Sequence, residues 1–260
     1  MPKVPFYLQI RDNLASQIEA ASLRPNDKLP SERTLSESFG ITRMTVRQAL
    51  LQLAAEGLIH RLHRRGWFVS PPRLRYDPAL NISFTENVES QGRKPGTALL
   101  SQEQITASAW ESSHLEVPAG ESVFLIRRMR LMDSRPVLVE HLHVNAARCP
   151  GLLDLPLDQS LTNLLAKHYG IVERRAQIRI RPTALTASQA EPLRVAAGTP
   201  GLYLTRTTYD QHDNVVEFDQ EFWRQDVLEL VVEVHREVAV AARLPRCSDQ
   251  DTRGGDTNGR

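Results

Sequence analysis

Residues 29–69 read LPSERTLSESFGITRMTVRQALLQLAAEGLIHRLHRRGWFV, and the apolar spacing in this stretch decides the fold around it. Ser31 precedes a short amphipathic pattern, Gly40 interrupts it, and Thr42 opens a second, longer one that ends at Gly57. Serine and threonine side chains cap helix N-termini, and glycine accepts the positive φ of a tight turn. The stretch therefore predicts two helices joined by a tight turn.

Two short strand patterns follow, at residues 58–61 and 67–69, and the basic loop 62–66 joins them. A helix-turn-helix followed by such a hairpin is a winged helix. The basic side chains of the loop suit a phosphate backbone or a minor groove. They are Arg64 and Arg65, beside Gly66.

The second predicted helix carries Arg43, Thr45 and Arg47 near its N-terminal end and away from its apolar face. A recognition helix meets base edges and phosphates at this position. An ordinary solvated basic face is the alternative interpretation. We favour a DNA-binding surface, because the two helices, the glycines and the basic wing occur together.

Three motifs resemble the DNA-binding domain of GntR-type bacterial repressors: LPSER at 29–33, TRMTVRQAL at 42–50 and EGLI at 56–59. The resemblance implies DNA contacts from Arg33, Thr42, Arg43, Thr45, Arg47 and Gly66. Many relatives have a glycine where this chain has Arg64, and a small residue where it has Trp67.

The charge distribution confines the basic surface to the N-terminal part of the chain. Residues 1–76 contain 12 Lys and Arg against 6 Asp and Glu, a net charge of +6, so the remainder of this +1 chain carries −5. No apolar run approaches the roughly 18 residues that span a bilayer, and the first residues do not form a signal peptide. We expect a cytoplasmic protein with reduced cysteines, without membrane partner or cofactor.

The predicted fold class is α+β, with a winged helix-turn-helix domain at residues 1–70 and an antiparallel-sheet domain at 82–238. A proline- and charge-rich linker at 71–81 separates them, and residues 245–260 have the composition of a disordered tail. Within the second domain, the pattern predicts hairpins with a few helices between them. One of these helices is expected at residues 186–197.

One predicted hairpin, residues 123–132 with 137–145, collects charged side chains. Alternation along the strand places Arg128 and Arg130 on one face, and pairing across the turn sets Glu140 opposite Arg128. Guanidinium groups bind phosphate or carboxylate through paired hydrogen bonds. A solvent-facing ladder of ion pairs explains the same spacing, so the residues alone leave both interpretations open.

Further motifs resemble the UTRA effector domain of the HutC subfamily. They are Ser83-Phe84-Thr85-Glu86, the Arg128-x-Arg130 hairpin with Glu140, Ser160-Leu161, Tyr169-Gly170-Ile171 and Val216-Glu217-Phe218 with Trp223-Arg224-x-Asp226. The resemblance implies a chorismate-lyase-like fold, a homodimer, and a small metabolite that changes the affinity for operator DNA. It places Ser83, Thr85, Arg128, Arg130, Glu140 and Glu217 in the effector pocket.

Several residues depart from the UTRA pattern. His143, Thr162 and Trp223 stand where relatives often have tyrosine, and we expect His143 to line the altered pocket. His141 shares its strand face, but no third ligand is near in sequence, so no metal site is expected. Arg128 and Arg130 retain the UTRA pattern, and they favour an effector with a phosphate or carboxylate group.

The sequence therefore predicts a DNA-binding transcription regulator that acts as a repressor rather than an enzyme. Two other functions stay open at this point. The second domain could serve dimerisation alone, in a repressor that responds to no ligand, or it could be a chorismate-lyase-like enzyme. The chain shows no nucleophile motif, phosphate-binding glycine loop or metal-ligand spacing that would support the enzyme.

Overall fold

The computed structural model describes residues 4–62, 65–80 and 82–234. Its N-terminal domain contains helices α1 (Phe6–Glu19), α2 (Glu32–Phe39) and α3 (Arg43–Ala55) and strands β1 (Ile59–Leu62) and β2 (Gly66–Val69). The two strands pair antiparallel. This is the predicted winged helix. The predicted tail at 245–260 and the wing residue Arg64 lie outside the described residues.

The helix-turn-helix forms for the predicted reasons. Ser31 Oγ accepts a hydrogen bond from the backbone N–H of Thr34, and Thr42 Oγ1 accepts one from that of Thr45. Gly40 ends α2 with φ +65°. These caps satisfy backbone donors that the first turn of each helix leaves free. The apolar faces of α1, α2 and α3 then bury a common core with Ile59 of the wing.

The segment predicted as a linker is partly ordered into a sheet. Strand β3 (Leu74–Tyr76) pairs in parallel with β10 (Leu228–Leu230), so the segment is fixed onto the C-terminal domain. Leu74 and Tyr76 are buried there. Their alternation with the exposed Arg75 is a strand pattern too short to distinguish from irregular chain in the sequence.

The C-terminal domain is built on one antiparallel sheet with the strand order β4-β5-β6-β9-β8-β7. The strands are β4 (Pro95–Thr106), β5 (Ser122–Met132), β6 (Arg135–Asn145), β7 (Glu173–Ala184), β8 (Pro200–Asp210) and β9 (Val215–Arg224). The helices are α4 (Phe84–Ser90), α5 (Ala109–Leu115), α6 (Leu161–Tyr169) and α7 (Ala187–Ala190), with short 3-10 turns at Ala146–Arg148 and Leu152–Asp154. The predicted α+β class is confirmed.

The two faces of the sheet carry different helices. Phe124, Ile126 and Leu142 pack against α6 on one face, whereas Val123 and Phe218 pack with α5 on the other. Because side chains alternate along each strand, neighbouring residues belong to different cores. This separation decides which polar residues meet.

The predicted hairpin of β5 and β6 is confirmed, and Arg128 lies opposite Glu140 as expected. The predicted helix at 186–197 is wrong in length, since α7 covers only Ala187–Ala190. Pro192 explains the early end: it has no N–H to donate to the preceding turn, and its ring disfavours a continued helix.

Candidate DNA-binding surface and effector cavity

The exposed surface of α3 is basic at its N-terminal end. Arg43 and Arg47 are exposed, and neither makes an ion pair with another residue in the described part of the chain. On the opposite side of the helix, Val46, Ala49 and Leu50 are fully buried. The buried side fixes the helix, so both guanidinium groups are left available to a phosphate or a base edge.

Two neighbouring elements extend this basic surface. Arg33 on α2 is mostly exposed and lies 3.7 Å from Glu37 Oε1, one turn along the helix. Such an exposed pair contributes little stability, so the arginine is free to exchange partners. Thr42 and Thr45 share a contact of 3.0 Å between their hydroxyls at the start of α3.

The wing presents Arg65, which is exposed and lies over the ring of Phe68 at 5.7 Å. Gly66 has φ +102°, a conformation that favours glycine at this turn. Trp67 points the other way: it is buried in the domain core, and its Nε1 donates to Glu32 Oε1 at 3.3 Å. The tryptophan therefore fills the core beneath the wing and does not alter the wing surface.

A cavity of about 210 Å³ lies on the α6 side of the C-terminal sheet. Its floor consists of side chains from β5, β6, β8 and β9, and its walls include the N-terminal ends of α4 and α6. The charged groups in its lining are the carboxylates Glu86, Glu140, Glu173, Glu217, Asp219 and Glu221 and the guanidinium groups Arg128, Arg130 and Arg206.

Arg128, Arg130 and Glu140 form a buried triad at one end of this cavity. Glu140 Oε1 accepts from Arg128 Nε at 2.5 Å and from Arg130 Nε at 2.8 Å. Arg128 Nη1 also donates to the backbone oxygens of Leu157 and Gln159, both at 3.0 Å. Burial alone would raise the pKa of Glu140, but the two arginines outweigh it and hold the pKa below its ordinary value.

The triad is oriented before any ligand binds. Arg130 Nη1 donates to Thr97 Oγ1 at 2.7 Å. Within the described residues, the Nη2 groups of Arg128 and Arg130 have no hydrogen-bond partner. Because both side chains line the cavity, these donors can bind an oxyanion without rearrangement. The capped N-terminus of α6 at Ser160 adds a favourable end of the helix dipole.

The opposite side of the floor is acidic. Glu217, Asp219 and Glu221 alternate along β9 and point to the same face, and all three are buried. Burial, with the neighbouring charge of Glu173, raises the pKa of Glu217 to about 8. Burial, with the other carboxylates nearby, also raises the pKa of Asp219 well above its ordinary value.

Family comparisons match both domains. The model "Bacterial regulatory proteins, gntR family" matches residues 6–69, and the model "UTRA domain" matches residues 90–229. The chain belongs to the GntR family and carries a UTRA domain. The HTH-type transcriptional repressor NagR of Bacillus subtilis (strain 168) is 35% identical to it over 223 residues, covering 86% of this chain and 92% of NagR.

Other relatives extend this finding. The mannosyl-D-glycerate transport/metabolism system repressor MngR of Escherichia coli (strain K12) is 27% identical over 222 residues, or 85% of this chain and 92% of MngR. The crystal structure of PhnF from Mycobacterium smegmatis matches with a TM-score of 0.63 at 29% identity, covering 87% of this chain and 99% of PhnF. The chain is a GntR–UTRA transcription repressor, which excludes the chorismate-lyase-like enzyme.

The cavity of this GntR–UTRA repressor gathers most of the predicted effector residues. Ser83, Arg128, Arg130, Glu140 and Glu217 line it together. Ser83 also caps α4, with its hydroxyl bound to Glu86 in a capping box. Thr162, noted for its departure from the UTRA pattern, also lines the cavity.

Thr85 and His143 do not line this cavity. Thr85 lies on α4 outside the wall. His143 lies on the other face of the sheet, where its ring is 5.1 Å from that of Trp110. The reason is the two-residue period of a strand: Glu140 and His143 are three positions apart and therefore point to opposite faces. The expectation that His143 lines the pocket is corrected by this placement.

Sequence reasoning missed several polar residues of the cavity, among them Tyr76, Arg206, Asp219 and Glu221. Arg206 Nη2 donates to the hydroxyl of Tyr76 at 2.6 Å, which joins the supposed linker to the cavity. Asp219 and Glu221 follow Glu217 at strand spacing, so alternation alone could have placed them. Tyr76 and Arg206 are 130 residues apart in sequence, and no local pattern relates them.

The cavity strand also reaches the DNA-binding domain. Gln225, directly after β9, donates from its side chain to the backbone oxygen of Ala54 at the end of α3, at 3.0 Å. The next residue, Asp226, lies 3.9 Å from His60 Nδ1 in the wing. His60 is buried, and burial with the nearby charge of Arg135 lowers its pKa to about 3, so it is neutral at this contact.

Among the described residues, no helix is both long and apolar enough to cross a bilayer.

Proposed function

We propose that this repressor binds a palindromic operator as a homodimer and that a small anionic metabolite in the UTRA cavity modulates the binding. The observation that carries the proposal is the pair of buried arginines with free donors in a cavity floored by β9, because Gln225, directly after β9, donates a hydrogen bond to the end of the recognition helix. Bacterial operator DNA as the partner places the protein in the cytoplasm.

In the proposed complex, α3 is the helix that contacts the DNA bases. Its N-terminal residues Arg43 and Arg47 enter the major groove, while Arg33 and the wing arginine Arg65 contact flanking phosphates. Thr42, Thr45 and Gly66 lie at the same surface and complete the proposed contacts. The N-terminal location of the net positive charge supports this assignment.

The homodimer is supported by an exposed apolar edge. Strand β4 forms one border of the C-terminal sheet, and its Leu99 and Leu100 are 42% and 44% exposed. An uncovered sheet edge with apolar side chains is suited to a second copy of the chain. A twofold dimer presents two winged helices related by symmetry, so its operator is an inverted repeat.

Effector control uses the physical continuity between the cavity and α3. A ligand that repositions β9 also repositions Gln225, which is bonded to Ala54 at the end of the recognition helix. The second connection runs through β3 and the residue before it. Tyr76 of β3 lines the cavity, and Arg73, directly before β3, donates from Nη2 to the backbone oxygen of Glu56 just after α3. The effector thereby changes the spacing of the two recognition helices, and only one spacing fits adjacent grooves.

The test starts with selection of binding sites from random duplex DNA by the full-length chain. We expect an inverted repeat, and Arg43→Ala or Arg47→Ala should each weaken binding to it by about 1–3 kcal/mol, or roughly 5- to 150-fold. The matched control is Arg174→Ala, which removes an exposed arginine of β7. Equal affinity in the wild type and both helix variants would reject this docking.

Effector response is tested on the same complex with phosphorylated sugars, phosphonates and aromatic or imidazole carboxylates. We expect one class to raise the unfolding midpoint and to change operator affinity. Thr97→Val, which removes the acceptor that holds Arg130, should weaken that response. A stable DNA complex that responds to none of these anions would favour a repressor that uses its UTRA domain for dimerisation alone.

A further inference from the structure

A buried polar atom in the effector cavity lacks a partner. Asp219 is 5% exposed, and its Oδ1 makes no hydrogen bond to any residue that the structure describes. The side chain lines the cavity on β9, across the sheet from the arginine triad. An unsatisfied buried acceptor costs free energy, so its persistence here indicates a ligand that supplies a donor.

The neighbours of Asp219 are also carboxyl groups. Glu221 lies directly opposite Glu140 in the pairing of β9 with β6, which places like charges on adjacent strands. Glu221 already has a hydrogen-bond donor, since its Oε2 accepts from Trp223 Nε1 at 2.6 Å. Glu217 has no side-chain hydrogen bond among the described residues, and it lies two positions from Asp219 on the same face. Glu217 and Asp219 therefore form an open acidic pair.

Arg206 offsets only part of this acidic wall. It lies opposite Asp219 in the register of β8 and β9, and its Nη2 donates to the hydroxyl of Tyr76. Its positive charge lowers the pKa values of Glu217, Asp219 and Glu221, but burial outweighs this effect and all three remain raised. The lining as a whole has six carboxyl groups against three guanidinium groups. A metal ion is a poor occupant, because no group of three or more His, Cys, Asp or Glu in the described chain is arranged to hold one.

We propose that the effector is zwitterionic: its anionic group binds Arg128 and Arg130, and a protonated amine binds between Glu217 and Asp219. This inference rests on the proposed effector function and narrows its ligand class. An ammonium group donates three hydrogen bonds and adds the positive charge that the acidic wall lacks. A hydroxyl group in the same place offers one donor and leaves the carboxylates facing one another.

The raised pKa of Asp219 supports this assignment with a second observable. Burial and the adjacent carboxylates favour the protonated acid in the empty cavity. An ammonium group that binds beside it takes the place of that proton. Binding of the amine therefore releases a proton from the acid to the solvent, whereas a hydroxyl group in the same place displaces no proton.

The span of the cavity guides the choice of probes. Arg128 on β5 and Asp219 on β9 are separated by the single strand β6, which corresponds to about 10 Å between backbones. Both side chains reach inward and shorten this gap. Aminoethyl, aminopropyl and aminobutyl phosphate cover the remaining range, and the hydroxyalkyl phosphate of each length is the matched control that keeps the phosphate and lacks the ammonium group.

The experiment measures the unfolding midpoint and calorimetric affinity of the full-length chain with each probe near pH 7. At the best length, we expect the amine to bind at least about tenfold more tightly than its hydroxyl partner and to release protons, detected as a buffer-dependent enthalpy. Asp219→Asn should remove this preference, so that the amine and hydroxyl probes of one length bind the variant with equal affinity. Glu217→Gln provides a second variant with the same expected direction.

Two results would overturn the inference, and they differ in what else they reject. If amine and hydroxyl probes of every length bind equally, the zwitterionic effector is wrong and an anion-responsive repressor stands. If no probe binds or changes operator affinity, the inference falls together with the proposed response to anions. Retention of the amine preference in both variants would also reject the assigned binding place.

Discussion

The buried carboxyl group of Glu217 should make the stability of the folded chain fall as the solution becomes more alkaline. Its pKa is raised from 4.5 to about 8, because burial and the charge of Glu173 disfavour the carboxylate. Between these two values the folded state retains a proton that the unfolded chain releases. Folding stability is therefore highest at low pH for this group and is lost as the pH rises.

The magnitude follows from linkage. With a folded pKa near 8, raising the pH from about 7 to about 8 costs roughly 1 kcal/mol through Glu217 alone. Asp219 and Glu221 contribute in the same direction, since their pKa values are also raised by burial. His60 has the opposite effect, because its lowered pKa makes stability rise with pH. This effect falls between pH values of about 3 and 6.5, so a measurement between about pH 7 and 8 avoids most of it.

The assay compares thermal unfolding of the wild type and Glu217→Gln across this pH range. A change of 1 kcal/mol corresponds to roughly 2–4 °C for a domain of this size. We expect the variant to lose about that much of the pH dependence, while Glu89→Gln on the exposed side of α4 retains it. An unchanged slope in a folded Glu217→Gln protein would refute the reasoning.

Three other substitutions test separate parts of the structure. Gln225→Ala should reduce the effector-induced change in operator affinity several-fold, because it removes the hydrogen bond to Ala54. Operator titrations with and without effector measure that change. An unchanged response would exclude the contact as a coupling element. Gly201→Ala should destabilise the chain by about 1–3 kcal/mol, because the added Cβ would lie 2.6 Å from a backbone oxygen of β9. Gly96→Ala is the control, since its Cβ would meet the nearest side chain at 3.4 Å. Equal unfolding midpoints of the two variants would contradict the predicted difference. Arg65→Ala should lower the salt dependence of DNA binding by about one unit of slope without changing the selected sequence, and an unchanged slope would remove the wing from the phosphate contacts.

Local sequence rules predicted the elements whose causes are local. Ser31, Gly40 and Thr42 determine the helix-turn-helix through caps and a left-handed turn, and all three act in the structure as their residue types predict. The register of the arginine hairpin follows from its short turn, where Asp133 and Ser134 both have positive φ. These features need only a few adjacent residues.

Features that depend on residues far apart in the chain were harder to predict from the sequence. Tyr76 lies in a stretch without a recognisable period, and its role depends on β10 and on Arg206, far along the chain. His143 was mispredicted for a different reason. The resemblance to the UTRA domain suggested a pocket residue, whereas strand alternation already placed His143 on the face of the sheet opposite to that of Glu140. Alternation along β9 would likewise have placed Asp219 beside Glu217. Strand period is therefore the more reliable guide to which side chains share a cavity.

We expect operator binding and anion binding to be energetically coupled through β9. The most direct measurement is a titration of the full-length chain with its selected operator, with and without the anion that most raises its unfolding midpoint, followed by the reverse titration. We predict that the anion changes operator affinity and that the operator changes anion affinity by the same factor. Two affinities that are independent of each other would contradict it.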